Sequence, residues 1–414
     1  MADTLTTASG VSLEKALKRA DSKARRRAFL LVLPLLLFLL ITFIGPIASM
    51  IWRSVYNPEV HDYLPNTAAA LENWEGEQLP DEAVYAALYE DIKIGQENRT
   101  IGRVAGRLNR ELPGTRGLMM GAARNFEEFN APYKESFIAA DEDWGDVRFW
   151  KLVKRETGLF TISYYLLAMD KEYNLDGEIV DRDEKYQIYG KLFKRTFFMS
   201  ALITFLCIVL AYPISYLMAI LPLRKSNLLM ILVLLPFWTS LLVRTSAWIV
   251  LLQSQGVVND LLVWSGLINN ESRLQMIYNA TGTTIAMVHI LLPFVVLPLY
   301  SVMKTIQPSY MRAAISMGAH PFVAWWRIYF PLTLPGLAAG VILVFIIAIG
   351  YYITPALVGG QTGIFISNLI ADNMRGTTAQ LKLALSLASL LLIAVMILYW
   401  LFNKLVGVDR LKFG

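Results

Sequence analysis

The chain has 414 residues, of which 55% are apolar and only 17% charged, and its mean hydropathy of +0.46 excludes an ordinary soluble domain. The net charge of +5 comes from basic residues that are divided among separate segments without a basic, aromatic-interleaved patch, so we expect no nucleic-acid partner. The single cysteine, Cys207, lies in an apolar segment and excludes a disulfide framework or a thiolate metal site. We expect no metal and no cofactor.

Six apolar segments are long enough to cross a membrane. They are residues 28–50, 196–221, 228–252, 283–302, 337–357 and 383–402, and none of them contains Asp or Glu. At about 1.5 Å per helical residue, each can cross a hydrocarbon core of about 30 Å. Backbone polar groups in lipid must be satisfied internally, which favours helices over open strands. The sequence therefore predicts an all-α fold, a polytopic membrane bundle of six spanning helices.

The first apolar segment has two interpretations. A basic run within residues 23–27 precedes it, as in a secretory signal peptide. The segment at 28–50 is, however, longer than the apolar region of a usual signal peptide, and the break at Gly45 and Pro46 is common in spanning helices. We therefore predict a retained first span which, with its outer end, covers residues 28–56.

Loop charges predict the orientation of the chain. Basic residues concentrate in a tail at residues 1–27, in loops at 223–227 and 303–336, and around a tail at 407–414, whereas the other short loops carry few. By the positive-inside rule these segments lie in the cytoplasm. Both termini are therefore predicted to be cytoplasmic.

Residues 57–195 form an acidic insert between the first two predicted spans, long enough for a small domain outside the membrane. Apolar residues at spacings of three and four predict helices at 81–93 and 144–154, and long alternating runs typical of strands are lacking. The carboxylate-rich runs at 141–143 and 181–184 are interpreted as solvated surface, with cation binding as the alternative. Its aromatic residues are expected to form a core, or else a docking face for an external partner. They are Trp144, Phe149, Trp150, Tyr164, Tyr165 and Tyr173.

The loop between the fourth and fifth predicted spans reads YMRAAISMGAHPFVAWWRIYFPLTLPG over residues 310–336. Gly318 suits a helix end or a chain reversal, and Pro321 suits the first turn of a further helix. The aromatic residues that follow predict an amphipathic segment that lies at the lipid boundary or fits a partner's groove. Pro331 and Pro335 are expected to redirect the chain into the fifth span.

The spacing Ala-Ala-x3-Gly-x9-Ile-x2-Pro in this loop resembles the cytoplasmic loop of permease subunits of binding-protein-dependent ABC importers. Arg312 stands where family members usually have Glu, which reverses a charge at the expected ATPase contact, and Phe330 stands where Leu is usual. The resemblance implies that one set of residues couples the chain to an ATPase. This set is Arg312, Ala313, Ala314, Gly318, Ala319, His320, Pro321, Ile328 and Pro331.

Three further segments are similar to spermidine/putrescine-type permeases: LLPFWTSLLVRTSAWIVLL at 234–252, QGVVN at 255–259 and GYYITPALVGG at 350–360. The resemblance implies a permease core at 196–406 in the bacterial inner membrane, with cytoplasmic ATP-binding subunits, a second permease subunit and a periplasmic solute-binding protein as partners. It implies import of a polyamine, an amino-acid-like or a related solute. The chain has no Gly-x4-Gly-Lys-[Ser/Thr] phosphate loop, so we expect a non-catalytic transport subunit.

Arg244 is the only Asp, Glu, Lys or Arg well inside a predicted span, which makes it a candidate for the translocation path. The alternative is that it extends to the outer interface. Tyr351, Tyr352 and Thr354 form a second aromatic and polar cluster near an outer end. Its aromatic faces suit an organic cation, and an interfacial aromatic belt is an equal alternative. The candidate path residues are Trp238, Thr239, Arg244, Trp248, Tyr351, Tyr352 and Thr354.

Two other classes of protein remain as alternatives. A membrane sensor or scaffold with an extracytoplasmic ligand domain predicts a cytoplasmic signalling domain, for which the two tails are short. A secondary transporter predicts carboxylates or histidines within the spans, where only His289 is present.

Overall fold

The computed structural model describes residues 13–174 and 177–406; the predicted tail at 407–414 and the first part of the tail at 1–27 lie outside the described residues. The described chain is almost entirely helical, and six helical segments are long and apolar enough to cross a membrane, which confirms the predicted all-α polytopic bundle. These segments are Ala20–Val55, Tyr189–Ile220, Leu241–Trp264, Ala280–Thr305, Pro321–Gly350 and Thr378–Lys404.

The described residues up to Tyr56 form one unit, which consists of α1 (Leu13–Leu39), a π turn (Leu40–Ile44) and α2 (Gly45–Val55). The N–H of Gly45 donates to the carbonyl five residues back, at Leu40. Pro46 has no N–H for the usual helical bond, and a single π turn shifts the bonding register without ending the helix.

The second unit begins at Asn57, and its first part is the insert. The insert contains short helices and one antiparallel ribbon, in which Lys171 pairs with Asp181 and Tyr173 with Ile179. Its elements are α3 (Pro58–Tyr63), α4 (Pro65–Leu71), α5 (Glu82–Glu97), α6 (Ile101–Glu111), α7 (Thr115–Arg124), α8 (Tyr133–Ala140), α9 (Val147–Glu156), α10 (Ser163–Ala168), β1 (Lys171–Tyr173) and β2 (Ile179–Asp181).

Three of the six aromatic residues singled out in the insert lie in its core. Trp144, Phe149 and Trp150 are buried in the main core of the insert, whereas Tyr164 is buried in a separate cluster. The carbonyl of Trp144 accepts hydrogen bonds from the Tyr85 hydroxyl at 2.8 Å and from Trp150 Nε1 at 3.0 Å. Tyr165 and Tyr173 are only half-buried.

The second part of this unit carries the remaining spans. The helices are α11 (Tyr189–Ile220), α12 (Leu223–Leu234), α13 (Leu241–Leu252), α14 (Val257–Trp264), α15 (Ala280–Thr305), α16 (Pro308–Ser316), α17 (Pro321–Ala324), α18 (Phe330–Gly350), α19 (Ile353–Val358), α20 (Gly360–Gly363), α21 (Ile366–Asn373) and α22 (Thr378–Val406). Helix α11 begins before residue 196, because the Asp170 carboxylate accepts the N–H groups of Ile188, Tyr189 and Gly190 at 3.0, 3.1 and 2.6 Å.

The prediction of one continuous third span at 228–252 was wrong. The chain forms α12, a 3-10 turn over Leu235–Trp238, and then α13, with Thr239 extended between them. Pro236 cannot donate a helical hydrogen bond, and the Ser240 hydroxyl accepts the N–H of Val243 at 3.2 Å, which begins a new helix. The apolar length of the segment predicted a single span, although Pro236, Thr239 and Ser240 mark the break in the sequence.

The predicted fifth span at 337–357 was also misplaced. Pro331 and Pro335 do not redirect the chain, because α17, a π turn over Trp325–Tyr329 and α18 form one helical segment from Pro321 to Gly350. Phe330 donates its N–H to Trp325, five residues back, so the chain accommodates Pro331 as it accommodates Pro46.

Helix α18 packs closely against α15 through glycines. A Cβ at Gly336 would lie 2.8 Å from the Pro298 carbonyl oxygen, and a Cβ at Gly340 would lie 3.0 Å from the Cα of Val295. Small residues that let two backbones approach are typical of helix packing in lipid.

Candidate functional site: a helical hairpin and a polar cluster at a helix break

Helices α16 and α17 form a hairpin, defined here as residues 308–329, around the glycine that the sequence singled out. Gly318 has φ of +93° and donates its N–H to Ile315 at 2.9 Å, while Ala319 donates to Ala314 at 3.1 Å. This pair of bonds is the Schellman ending of a helix. The Nδ1 atom of His320 then accepts the N–H of Phe322 at 3.3 Å and caps α17, which has Pro321 in its first turn.

The hairpin is fixed to the spanning helices by aromatic contacts. The Trp325 ring meets the Tyr212 ring of α11 edge-on at 5.8 Å, and the Tyr329 ring meets that of Tyr216 at 5.4 Å. Within the hairpin, Ala314 and Ala324 are buried, which matches close approach of its two arms. The hairpin is therefore in contact with α11 and continuous with α18.

The outer surface of the hairpin is apolar and exposed. Met317 at the turn is 81% exposed, Phe322 65% and Trp326 54%. Arg312 and Ala313 are exposed on the same hairpin, whereas Ile328 is half-buried. An exposed patch of large apolar side chains indicates an interaction site. The structure thus brings the predicted coupling residues together on one motif, with Pro331 at its junction with α18.

Arg244 fulfils a local role at the break between α12 and α13. Its Nη2 donates to the carbonyl oxygens of Pro236 and Thr239, the latter at 3.0 Å, and its Nε lies 3.4 Å from Thr239 Oγ1. The last carbonyls of a helix have no partner within that helix and carry partial negative charge. The guanidinium therefore stabilises the broken end.

Polar side chains join α13, α15 and α19 beside this break. The hydroxyls of Thr245 and Thr354 lie 3.4 Å apart in a buried position, and Trp248 Nε1 donates to His289 Nδ1 at 3.1 Å. Of the other candidate path residues, Tyr351 is half-buried, whereas Tyr352 and Trp238 are exposed. The structure thus unites Arg244, Thr239, Trp248 and Thr354 in one region and leaves the side chain of Trp238 outside it.

Sequence reasoning missed Glu59 and Lys382, which pair across 323 residues. The only local signal was a lysine at the beginning of the last apolar segment, where a charge is unusual. Asp170 was also missed, because the helix that it caps begins far beyond the usual capping distance.

The fold and the hairpin define a polytopic helical membrane protein with a helical hairpin that is continuous with a spanning helix. Residues 196–407 match the family described as binding-protein-dependent transport system inner membrane component. The chain belongs to this family and is a permease subunit of a binding-protein-dependent ABC importer. The family region begins beyond the insert.

Two sequence relatives support this assignment. The chain is 32% identical over 227 residues to the spermidine/putrescine transport system permease protein PotB of Escherichia coli (strain K12), which covers 53% of this chain and 80% of the relative. It is 31% identical over 225 residues to the inner membrane ABC transporter permease protein YdcU of the same organism, with 51% and 70% covered. A bacterial ABC transporter involved in alginate import matches with a TM-score of 0.42 and 18% identity, over 56% of this chain and 81% of that one.

Proposed function

We propose that the hairpin at 308–329 docks onto a cytoplasmic ATP-binding subunit, which hydrolyses ATP and drives this permease between inward-open and outward-open states. The observation that carries the proposal is the continuity of α17, the π turn and α18, combined with the exposed tip at Met317 and Phe322. Such a motif converts movement of a partner into movement of a spanning helix. The chain itself is then a non-catalytic transport subunit.

The proposed assembly contains a second permease subunit, the ATP-binding subunits and a periplasmic solute-binding protein, in the bacterial inner membrane. The distribution of Lys and Arg supports cytoplasmic termini and a periplasmic insert. Arg312, exposed on the hairpin, supports an ATPase contact of opposite polarity from that of relatives with Glu at this position.

We propose a polyamine or a related small organic cation as the solute. The identity to PotB supports this class, and the half-buried indole of Trp248 offers an aromatic face for a cation. Asp260, near the end of the span Leu241–Trp264, already pairs with Arg273 at 2.8 Å, so the charge of the solute would be balanced by the binding protein or the second permease. Uptake of labelled spermidine that is abolished by excess spermidine but not by an amino acid would support this class, and the reverse pattern would contradict it.

The docking proposal is tested at Gly318. A Gly318→Trp chain is strained at φ of +93° and carries a bulky side chain at the turn, whereas Gly318→Asn is a control because Asn tolerates positive φ. In proteoliposomes that contain the complete importer, we expect the Trp variant to insert normally but to lose ATP-dependent uptake and co-purification of the ATP-binding subunit, while Asn retains both. Normal uptake by the Trp variant would contradict the docking role.

A further inference from the structure

A buried ion pair joins the insert to the last spanning helix. Lys382 lies near the beginning of α22, and its Nζ lies 2.8 Å from both carboxylate oxygens of Glu59, on α3 of the insert. The side chains are only 8% and 16% exposed. A pair this buried differs from a surface ion pair, because loss of one partner leaves the other charged group poorly solvated.

A second layer of charges lies behind this pair. The Nη2 atom of Arg107 lies 2.6 Å from Glu156 Oε2, with both side chains almost fully buried, and Asn57 donates to Glu156 at 3.0 Å. The Tyr164 ring contacts both pairs, with its centre 5.4 Å from the Arg107 guanidinium and 5.7 Å from Lys382 Nζ. Burial lowers the pKa of Arg107, but the Glu156 and Glu111 carboxylates more than offset this, so its pKa is raised and it remains charged.

Apolar and capping contacts reinforce the same junction. Tyr164 and Ala168 of α10 pack in one cluster with Leu383 and Leu387 of α22. Asp170, immediately after this helix, caps the first turn of α11. The insert is thus held to two spanning helices of the permease core through buried contacts.

We propose that Glu59 and Lys382 are positioning residues for transport, which fix the insert to the outer end of α22 so that both move as one body through the transport cycle. The proposal rests on the ATP-driven transport proposed above. A solvated surface pair contributes little and would be dispensable. A buried pair with a second layer of charges is suited to specify one arrangement of two elements.

The first experiment measures solute imported per ATP hydrolysed by the complete importer in proteoliposomes. Lys382→Met should lower this ratio about 2- to 30-fold, the usual range for residues within a coupling network. The exchanged double variant Glu59→Lys with Lys382→Glu should recover part of the loss. Lys171→Met is the control, because the Lys171–Asp181 pair is exposed and lies wholly within the insert. A purely structural role would lower the amount of folded complex but leave the ratio unchanged, and would overturn the proposal.

The second experiment fixes the junction covalently. Glu59→Cys with Lys382→Cys, in a Cys207→Ala background, is treated with a short bifunctional thiol reagent that can be cleaved by reduction. If the insert and α22 move together, the cross-link should restore uptake that the double substitution lowered, and reduction should remove the gain. A cross-link that abolishes uptake until it is reduced would overturn the proposal. Lys171→Cys with Asp181→Cys, which face one another across the ribbon, is the matched control and should be unaffected by the reagent.

The two proposals fail in distinguishable ways. If unmodified importer shows no ATP-dependent uptake, the proposed function fails. If it transports normally and Lys382→Met has an unchanged ratio of solute to ATP, only the positioning role of the Glu59–Lys382 pair fails.

Discussion

The insert and the spanning core of this chain are stabilised by different kinds of packing. The largest fully buried side chains belong mainly to the insert and include Trp144, Trp150, Tyr85 and Phe137. In the spanning core, by contrast, α15 and α18 approach closely at Gly336, where a Cβ would meet the backbone of the facing helix. The hydrophobic effect drives the burial of large apolar side chains away from water, whereas helices in lipid gain stability by close van der Waals packing.

Polar groups show the same contrast. The insert buries the Arg107–Glu156 ion pair, whereas several hydroxyl groups in the spanning core donate to backbone carbonyls of their own or a neighbouring helix. Thr204 donates to Ser200 at 2.7 Å, and Ser215 on α11 donates to Val296 on α15 at 3.3 Å. These bonds satisfy small polar groups without placing a full charge in lipid. The insert before residue 189 is thus stabilised by buried aromatic side chains and ion pairs, whereas the spanning core after it is stabilised by close helix contacts and hydroxyl hydrogen bonds.

The largest expected effect is a loss of stability that is confined to the insert. Trp150→Ala removes a fully buried indole and its bond to the Trp144 carbonyl, which should lower the free energy of local unfolding of the insert by about 3–5 kcal/mol. Hydrogen exchange of the α5 and α9 amides in the full chain measures this change. Amides of α15 should be unaffected.

Ile94→Ala is the control for the Trp150 change, because Ile94 lies on α5 but is 49% exposed. It should change the free energy of unfolding within about 0.5 kcal/mol. Equal protection losses in the insert and in α15 after Trp150→Ala would break the comparison, since the two regions would then unfold as one.

A smaller loss of stability is expected when the packing of two spanning helices, α15 and α18, is disturbed. Gly336→Ala forces a methyl group to within 2.8 Å of the Pro298 carbonyl oxygen and should destabilise the α15–α18 contact by about 1–3 kcal/mol. Gly350→Ala, at the end of the same helix and in open space, is the matched control. Thermal unfolding in detergent, with hydrogen exchange to locate the change, should show loss of protection in α18 for the first variant only. No difference between the variants would contradict packing by small residues.

Sequence patterns predicted the features that depend on local composition. Apolar length predicted the number of spans, helical spacing predicted α5 and α9, and Gly318 marked the hairpin turn. These features depend on residues that are close in sequence, so periodicity and capping preferences detect them.

The remaining features depend on residues that meet only in the folded chain. The break before α13 is stabilised by Arg244, whose guanidinium meets the carbonyls of Pro236 and Thr239 only in the folded chain. Glu59 and Lys382 are 323 residues apart in sequence, and no sequence periodicity links two charged residues at such a separation. The candidate path residues were predicted from their proximity in sequence, and the folded chain places only some of them in one region.

The smallest expected effect concerns the pH dependence of the stability of the insert, which carries charged side chains on its surface. Asp146 caps α9, and its hydrogen bond to the Arg148 side chain lowers the pKa of its carboxyl group. The folded pKa lies below the unfolded value of about 3.9, so the contribution to stability is present above that pH and is lost as the pH falls through the folded pKa. Asp146→Asn should therefore reduce the acid dependence of insert stability, and the effect should be small because the pair is partly exposed. Hydrogen exchange of the α9 amides, corrected for intrinsic rates between neutral and acidic pH, measures this acid dependence.

Asp62→Asn, which alters an exposed carboxylate of the same insert, is the control for the Asp146 change. An acid dependence that Asp146→Asn leaves unchanged would show that the Asp146–Arg148 contact contributes nothing to the stability of α9.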